Sequence, residues 1–306
     1  MDLIIVPSEH SKDGFVKDLY EKIKKLQDGQ KKKIGDLKLE KPMEVLFEGT
    51  NEDIYKPIND ASLDLVDSIK EDFAFLHVGL WGNGGYGEDR KDIAKLVKIF
   101  YESFANKKEK PALILKSAGA TFSIMDREKC LEKIRQIKNK FPKDWNLPNV
   151  YLLHGSLSPD EMNKLYNHPK VKAHLSFTHG EGFGRPLLEA SISGKPVIAP
   201  KWSGHVDFLD SRYSTLLDGM MTKVNKDSFP KQFYVDGAQW FTVDYQKASR
   251  TLKNMYRSYK KYTANSKRLS IQNIKKFSLN AMTINLGKLL DKYVPEFPKQ
   301  VSLNLP

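Results

Sequence analysis

Along the first 200 positions, short apolar runs alternate with longer segments whose apolar side chains recur every three or four residues. The runs Met43–Phe47, Phe73–Val78, Ala112–Leu115, Val150–Leu153, Ala173–Phe177 and Pro196–Ala199 have the length of strands. The opening Met1-Asp2-Leu3-Ile4-Ile5-Val6-Pro7 reads as one more short buried strand, ended by Pro7-Ser8. Between the runs, Arg90–Phe104 puts Ile93, Leu96, Val97, Phe100 and Phe104 on one helical face, and Arg127–Phe141 does the same with Leu131, Ile134 and Ile137. Ser158-Pro159-Asp160-Glu161 predicts the start of a third helix, with serine at the N-cap, proline in the first turn and carboxylates near the positive end of the helix dipole. The alternation predicts an α/β fold, a Rossmann-like parallel sheet with helices on both faces. In such sheets ligands sit beyond the carboxyl ends of the strands, so the loops there are the place to look for chemistry.

After residue 245 the pattern changes. Tyr245–Tyr262 and Ser266–Val294 read as helices, and no strand is expected to follow. Lys25–Lys41 is polar and lysine-rich and reads as a linker or a solvated loop.

Composition adds bounds. The 306 residues are 40% hydrophobic and 29% charged, ordinary for a globular protein. Cys130 is the single cysteine, so no disulfide can form within the chain, and a cytoplasmic setting is expected. No apolar run is long enough to span a bilayer, and the first residues lack the basic and apolar regions of a signal peptide. The net charge of +12 is uneven: residues 246–306 carry thirteen Lys and Arg against Asp291 and Glu296. Such a segment can bind nucleic acid, anionic lipid or an acidic polymer, or form a solvated helix face.

The chemistry is concentrated in Thr178-His179-Gly180-Glu181-Gly182-Phe183-Gly184-Arg185-Pro186-Leu187-Leu188-Glu189-Ala190, which follows a strand and opens a helix. Its glycines permit a sharp turn and close approach to a ligand. Free N–H groups at the helix start suit a phosphate. Glu181 and Glu189 can accept hydroxyl hydrogens from a sugar or a ribose. No cluster of His, Cys and carboxylates has metal-ligand spacing.

Glu181-Gly182-Phe183-Gly184, Glu189-Ala190, Gly194-Lys195-Pro196-Val197-Ile198-Ala199 and Ser203-Gly204 together resemble the E-x7-E signature of the retaining family 4 glycosyltransferases. Further stretches match in the same order: Val6-Pro7-Ser8, Glu48-Gly49-Thr50-Asn51 with Tyr55-Lys56-Pro57, Phe75–Gly79, Arg90-Lys91 and Trp240. The likeness covers about residues 3–262. It implies the GT-B fold, two Rossmann-like domains facing across a cleft, with this chain supplying mainly the C-terminal, donor-binding one. Residues 1–40 are then a remnant of the N-terminal domain and a linker, 41–245 the nucleotide-sugar-binding domain and 246–306 a basic helical segment.

By the same resemblance Glu181, Arg90 and Lys91 are catalytic. Glu181 lies near the donor sugar, and Arg90 and Lys91 neutralise the departing diphosphate. Glu189 holds the ribose hydroxyls. Gly182, Phe183 and Gly184 offer backbone to the sugar and the diphosphate, Leu157 frames the base, and Lys116 is a further cation for the donor site. The substrate is a nucleotide-diphosphate sugar, with no cofactor and no metal. The expected activity is hexosyl or pentosyl transfer with retention to an acceptor that the sequence leaves open, the basic tail favouring an anionic one such as modified DNA or a polysaccharide; the alternative is a non-catalytic or partner-dependent nucleotide-sugar-binding module that uses its basic tail for nucleic acid or protein. A partner chain or a second copy is expected to complete the cleft, seated on the C-terminal apolar positions Leu269, Ile271, Ile274, Phe277, Leu286 and Leu290. Leu80 stands where the family has an arginine, followed by the glycine-rich insertion Trp81–Gly87. His10, His179 and His205 carry no assigned role.

Overall fold

The computed structural model describes residues 3–27, 29–82, 84–229 and 235–294. Met1, Asp2, Asn83 of the glycine-rich insertion and residues 295–306 of the basic segment lie outside the described residues.

The chain opens with β1 (Ile4–Val6), α1 (Glu9–Val16), the hairpin β2 (Tyr20–Lys25) and β3 (Lys31–Leu37), and β4 (Met43–Val45). Next come α2 (Asp64–Asp67), β5 (Ala74–Val78), α3 (Ile93–Phe104), β6 (Ala112–Lys116), α4 (Ile124–Lys138), β7 (Val150–Leu153), α5 (Pro159–Asn167), β8 (Val171–Leu175), α6 (Arg185–Ile192) and β9 (Val197–Pro200). β10 (Thr215–Leu217), β11 (Gly219–Lys223), β12 (Gln239–Val243), α7 (Tyr245–Arg257), α8 (Lys260–Lys276) and α9 (Leu279–Tyr293) complete it.

Six parallel strands form the main sheet in the order β10-β9-β8-β5-β6-β7. Its alternating side chains feed two cores. Phe75, Leu113, Leu115 and Leu175 face one layer with α3, α4 and α7, while Ala74, Leu76, Ile114 and Val197 face the other with α5, α6 and α8. Strands buried on both faces explain the unbroken apolar runs. The strand order reverses between β5 and β8, so the crevice at their carboxyl ends is where a doubly wound sheet binds its ligand.

Several expectations change. Met43–Val45 does not join the main sheet; it pairs in parallel with β1. Lys25–Lys41 is not a linker, because Lys31–Leu37 forms an antiparallel hairpin with Tyr20–Lys25. A bulge between Lys22 and Ile23 and the nearly complete exposure of both strands remove the alternation that would have marked it. Two expected C-terminal helices are three. The second break falls at Phe277-Ser278, where Thr50 N–H donates to the Phe277 carbonyl, Leu279 N–H donates to the Thr50 carbonyl, and Ser278 caps α9.

The C-terminal apolar positions also divide. Leu269 is fully buried, and Ile274 and Phe277 pack on the core, so these belong to the fold rather than to an interface. Ile271 and Leu290 are exposed. The α5 start is as expected, with a capping box between Ser158 and Glu161 and Pro159 in the first turn.

Three histidines, His77, His174 and His179, are buried in or beside the central strands. Burial lowers His77 and His179 to about 4, and His174 well below its ordinary value. Below pH 6.5 the unfolded chain takes up protons that the folded chain refuses. Stability is therefore expected to be fully present above about pH 6.5 and to fall as the pH drops towards 4, by on the order of 3 kcal/mol each for His77 and His179. Urea midpoints at pH 7.5 and 5.0 measure this. His77→Gln should flatten the dependence, and an unchanged slope in that variant would contradict the assignment.

Candidate active site

The loop after β8 carries His179 to Gly184 to the reversal point of the sheet. Three neighbours hold it there. His179 N–H donates to the Arg90 carbonyl at 2.8 Å, and its Nδ1 contacts the Phe241 carbonyl at 2.8 Å. Glu181 N–H donates to Ser203 Oγ at 3.0 Å. Gly204 backs the loop so closely that a methyl group there would lie 2.1 Å from the Gly182 carbonyl oxygen. Gly184 ends the loop at φ 96°, a left-handed conformation that favours glycine, and Pro186 occupies the first turn of α6.

The turn before α3 delivers two cations to the same point. Asp89 and Asp92 are fully buried beneath it. Asp89 accepts from the Ile93 N–H, and Tyr245 donates to Asp92 at 2.6 Å. Asp92 itself has φ 52°. Burial raises both carboxyls, Asp92 strongly. Above them Lys91 Nζ donates to Glu181 Oε1 at 2.5 Å, and Arg90 Nη1 donates to Glu181 Oε2 at 3.1 Å and to the Gly180 carbonyl at 2.7 Å. Burial works to raise the Glu181 carboxyl, but Lys91 and Arg90 overrule it and hold the group below the usual carboxylate range. Lys91 is lowered by its own burial, against the pull of Glu181.

Glu189 has the opposite character. It is buried one turn into α6, where Tyr166 donates to it at 3.1 Å and Arg185 at 3.1 Å, and burial raises its carboxyl. Two carboxylates eight residues apart thus sit in different electrostatic settings.

Two clefts flank these groups. One, of about 260 Å³, is lined by Val78, Gly79, Leu80, Lys116, Phe122 and Leu157 at the ends of β5, β6 and β7. Here burial lowers Lys116, whose Nζ donates to the Gly155 carbonyl. Asp126 fastens this rim by accepting from Gly119 N–H and contacting His154 Nε2 at 2.9 Å. The second cleft, of about 480 Å³, has Arg90, His179, Glu181 and Gly182 on its floor. Lys91 stands between the two. A methyl on Gly79, which lines the first, would lie 3.4 Å from Lys91 Cε, while the ammonium pairs with Glu181 in the second.

Of the nine candidate positions, Arg90, Glu181 and Gly182 line the larger cleft and Lys116 and Leu157 the smaller, while Lys91, Glu189, Phe183 and Gly184 are in the lining of neither. Arg90, Lys91 and Glu181 are brought into contact. Phe183 turns its ring into the core against Phe208, leaving only its backbone for a ligand. Of the histidines, His205 is fully buried with Nε2 on the Pro200 carbonyl, and His179 stacks on Trp240 at 4.0 Å.

His10 was not foreseeable from motif spacing. It stacks edge-on against Trp202 in the second cleft, because α1 folds back over the loop. Ser8 Oγ donates to the Gly182 carbonyl at 2.5 Å, and Glu9 N–H donates to Asp207 at 2.9 Å. The Val6-Pro7-Ser8 match was the one signal that pointed here.

Among the described residues, part of the basic segment's charge lies away from this crevice. α7 starts beside Asp92 at the site end and reaches Phe73 and Phe104 at the other end of the sheet. There Lys253 and Arg257 line a separate groove with Lys107 and Lys108.

Residues 89–229, which hold Arg90, Lys91, Glu181 and Glu189, match the family described as "Glycosyl transferases group 1". No curated protein matches the chain. Solved structures agree on the fold. Sucrose-phosphate synthase from Thermosynechococcus elongatus superposes with a TM-score of 0.64 at 15% identity, covering 95% of this chain and 58% of that one. Anabaena Alr3699/HepE, in complex with UDP and glucose, gives 0.63 at 14% identity, covering 95% and 63%. The C-terminal domain of the group 1 family protein LpcC from Francisella tularensis gives 0.50 at 16% identity, with 76% of this chain and all of that one covered. The chain spans about three-fifths of the length of the first two. The stretch that matches this family thus lies within a GT-B-type Rossmann-like sheet, and among the described residues no helix is long and apolar enough to cross a membrane.

Proposed function

We propose that this protein transfers a sugar, with retention, from a nucleotide-diphosphate sugar to an acceptor hydroxyl. The observation that carries the reading is the Lys91–Glu181–Arg90 cluster standing between two clefts at the reversal point of the sheet. The base lies against Leu157 in the smaller cleft, and Glu189 accepts the ribose hydroxyls. The backbone of Phe183 and Gly184, at the start of α6, faces the diphosphate. Lys91, helped by Arg90, neutralises charge as the bond from the anomeric carbon to the diphosphate oxygen breaks.

Glu181 is engaged with two cations and is not free to attack that carbon. The acceptor oxygen therefore bonds on the face the diphosphate leaves, and its proton passes to the departing oxygen. No metal or cofactor has a role in this scheme. The UDP held by the HepE structure supports a nucleotide-diphosphate donor.

Calorimetric titration with a panel of nucleotide sugars tests the reading. One of them is expected to bind saturably. Glu189→Gln, which keeps the volume but removes the charge Arg185 faces, should weaken it by about 10- to 100-fold. Binding by none, or equal binding in the variant, would overturn it.

A second reading, in which another copy of the chain completes the cleft, draws on α9. Leu279, Ile284, Leu290 and Val294 are exposed along or just after it, and α9 buries none of its described residues. Light scattering over a wide concentration range should then show a dimer, and a monomer throughout would remove this reading.

A further inference from the structure

The larger cleft has walls of unusual chemistry for a place where an anionic polymer was expected. α1 forms one side with His10, Ser11 and Phe15, and Trp202, Gln239 and Trp240 form the other. Phe15 is 58% exposed, so it offers an open aromatic surface at the mouth. The two ionised side chains in the lining are Arg90 and Glu181, and they pair with each other. Burial lowers His10 and His179, so both imidazoles are neutral near pH 7. Lys107, Lys108, Lys253 and Arg257 line a separate groove.

A cleft of about 480 Å³ with aromatic walls, a few neutral polar groups and no net charge has the size and lining of a small-molecule site. A pyranose suits it. Its flat C–H face lies on aromatic rings, and its rim of hydroxyls meets Ser11, Gln239 and the imidazoles. On the proposed reading of the crevice, we propose that the larger cleft is an acceptor subsite for a neutral glycoside. Phe15 and Trp202 seat the sugar ring, and the attacking hydroxyl is directed towards the donor sugar beside Glu181. α1, tied to the donor loop through Ser8 and Gly182, then makes the acceptor wall part of the same rigid unit as the donor site.

Saturation-transfer NMR with methyl glucopyranosides, galactopyranosides and N-acetylglucosaminides tests this, with a short single-stranded oligonucleotide as the anionic probe. At least one methyl glycoside is expected to bind saturably and to lose tenfold or more in affinity in Phe15→Ser. Nucleotide-sugar titration of the same variant is the check that the domain remains folded and its donor site intact. Leu65→Ser, at an exposed position of α2 outside the cleft, should leave glycoside binding as it was. Donor binding without any glycoside binding, or glycoside binding untouched by Phe15→Ser, would overturn the acceptor subsite and leave the donor site standing. Loss of both bindings in the parent protein would overturn the donor reading as well. An oligonucleotide that displaces a bound glycoside would return the cleft to an anionic ligand.

Discussion

Lys91→Met is expected to lower turnover of the nucleotide sugar by at least about 100-fold and to destabilise the fold by about 3–5 kcal/mol. Both effects come from one contact. Lys91 and Glu181 are almost wholly buried, so removing the ammonium leaves a carboxylate with only the half-exposed Arg90 as counter-charge. Glu181→Gln alone strands the lysine in the same way. The double variant Lys91→Met/Glu181→Gln removes both buried charges, and replacing a whole buried pair is close to neutral where breaking it is costly. Stability should therefore return towards that of the parent while turnover stays low. Denaturant midpoints and turnover measured on all four proteins form a cycle that separates the two roles. Recovery of turnover in the double variant would show that the pair serves the fold alone.

Gly204→Ala should be as damaging by a different route. Its new methyl would meet the Gly182 carbonyl oxygen at 2.1 Å and Ser8 Oγ at 2.8 Å. The Gly182 carbonyl is part of the donor loop and also the acceptor of the Ser8 hydrogen bond, so neither neighbour can yield without moving the loop or α1. A loss of about 3 kcal/mol and of donor binding is expected. Gly182→Ala supplies the contrast. Nothing lies within 4 Å of its added methyl, which points into the open cleft. That variant should melt with the parent and yet bind ligand poorly. Equal melting temperatures for all three proteins would mean that the loop is not packed as described.

The parts of this fold that sequence makes legible are those whose side chains obey a period. The strands of the main sheet from β5 to β9 are predominantly apolar because both faces are covered, and α3 shows its buried stripe at helical spacing. The glycines and glutamates of the donor loop are legible because their spacing is itself the chemistry. β2 and β3 escaped notice because exposed strands bury nothing and a bulge breaks their alternation. β10, β11 and β12 are short and follow loops, and their register rests on partners far along the chain. His10, Trp202 and Asp92 belong to the site through contacts across 80 to 190 positions, and no local pattern announces such contacts.

The order of the strands has an evolutionary consequence. The smaller cleft is lined by residues between Val78 and Met162. The larger cleft is lined from His179 onwards, apart from Arg90 and the short contribution of α1. The crevice between β5 and β8 is thus also a seam in heredity. Recombination near residue 170 would exchange most of the larger cleft's walls, and Glu189 with them, while α1, Arg90, Lys91 and the lining of the smaller cleft are inherited together.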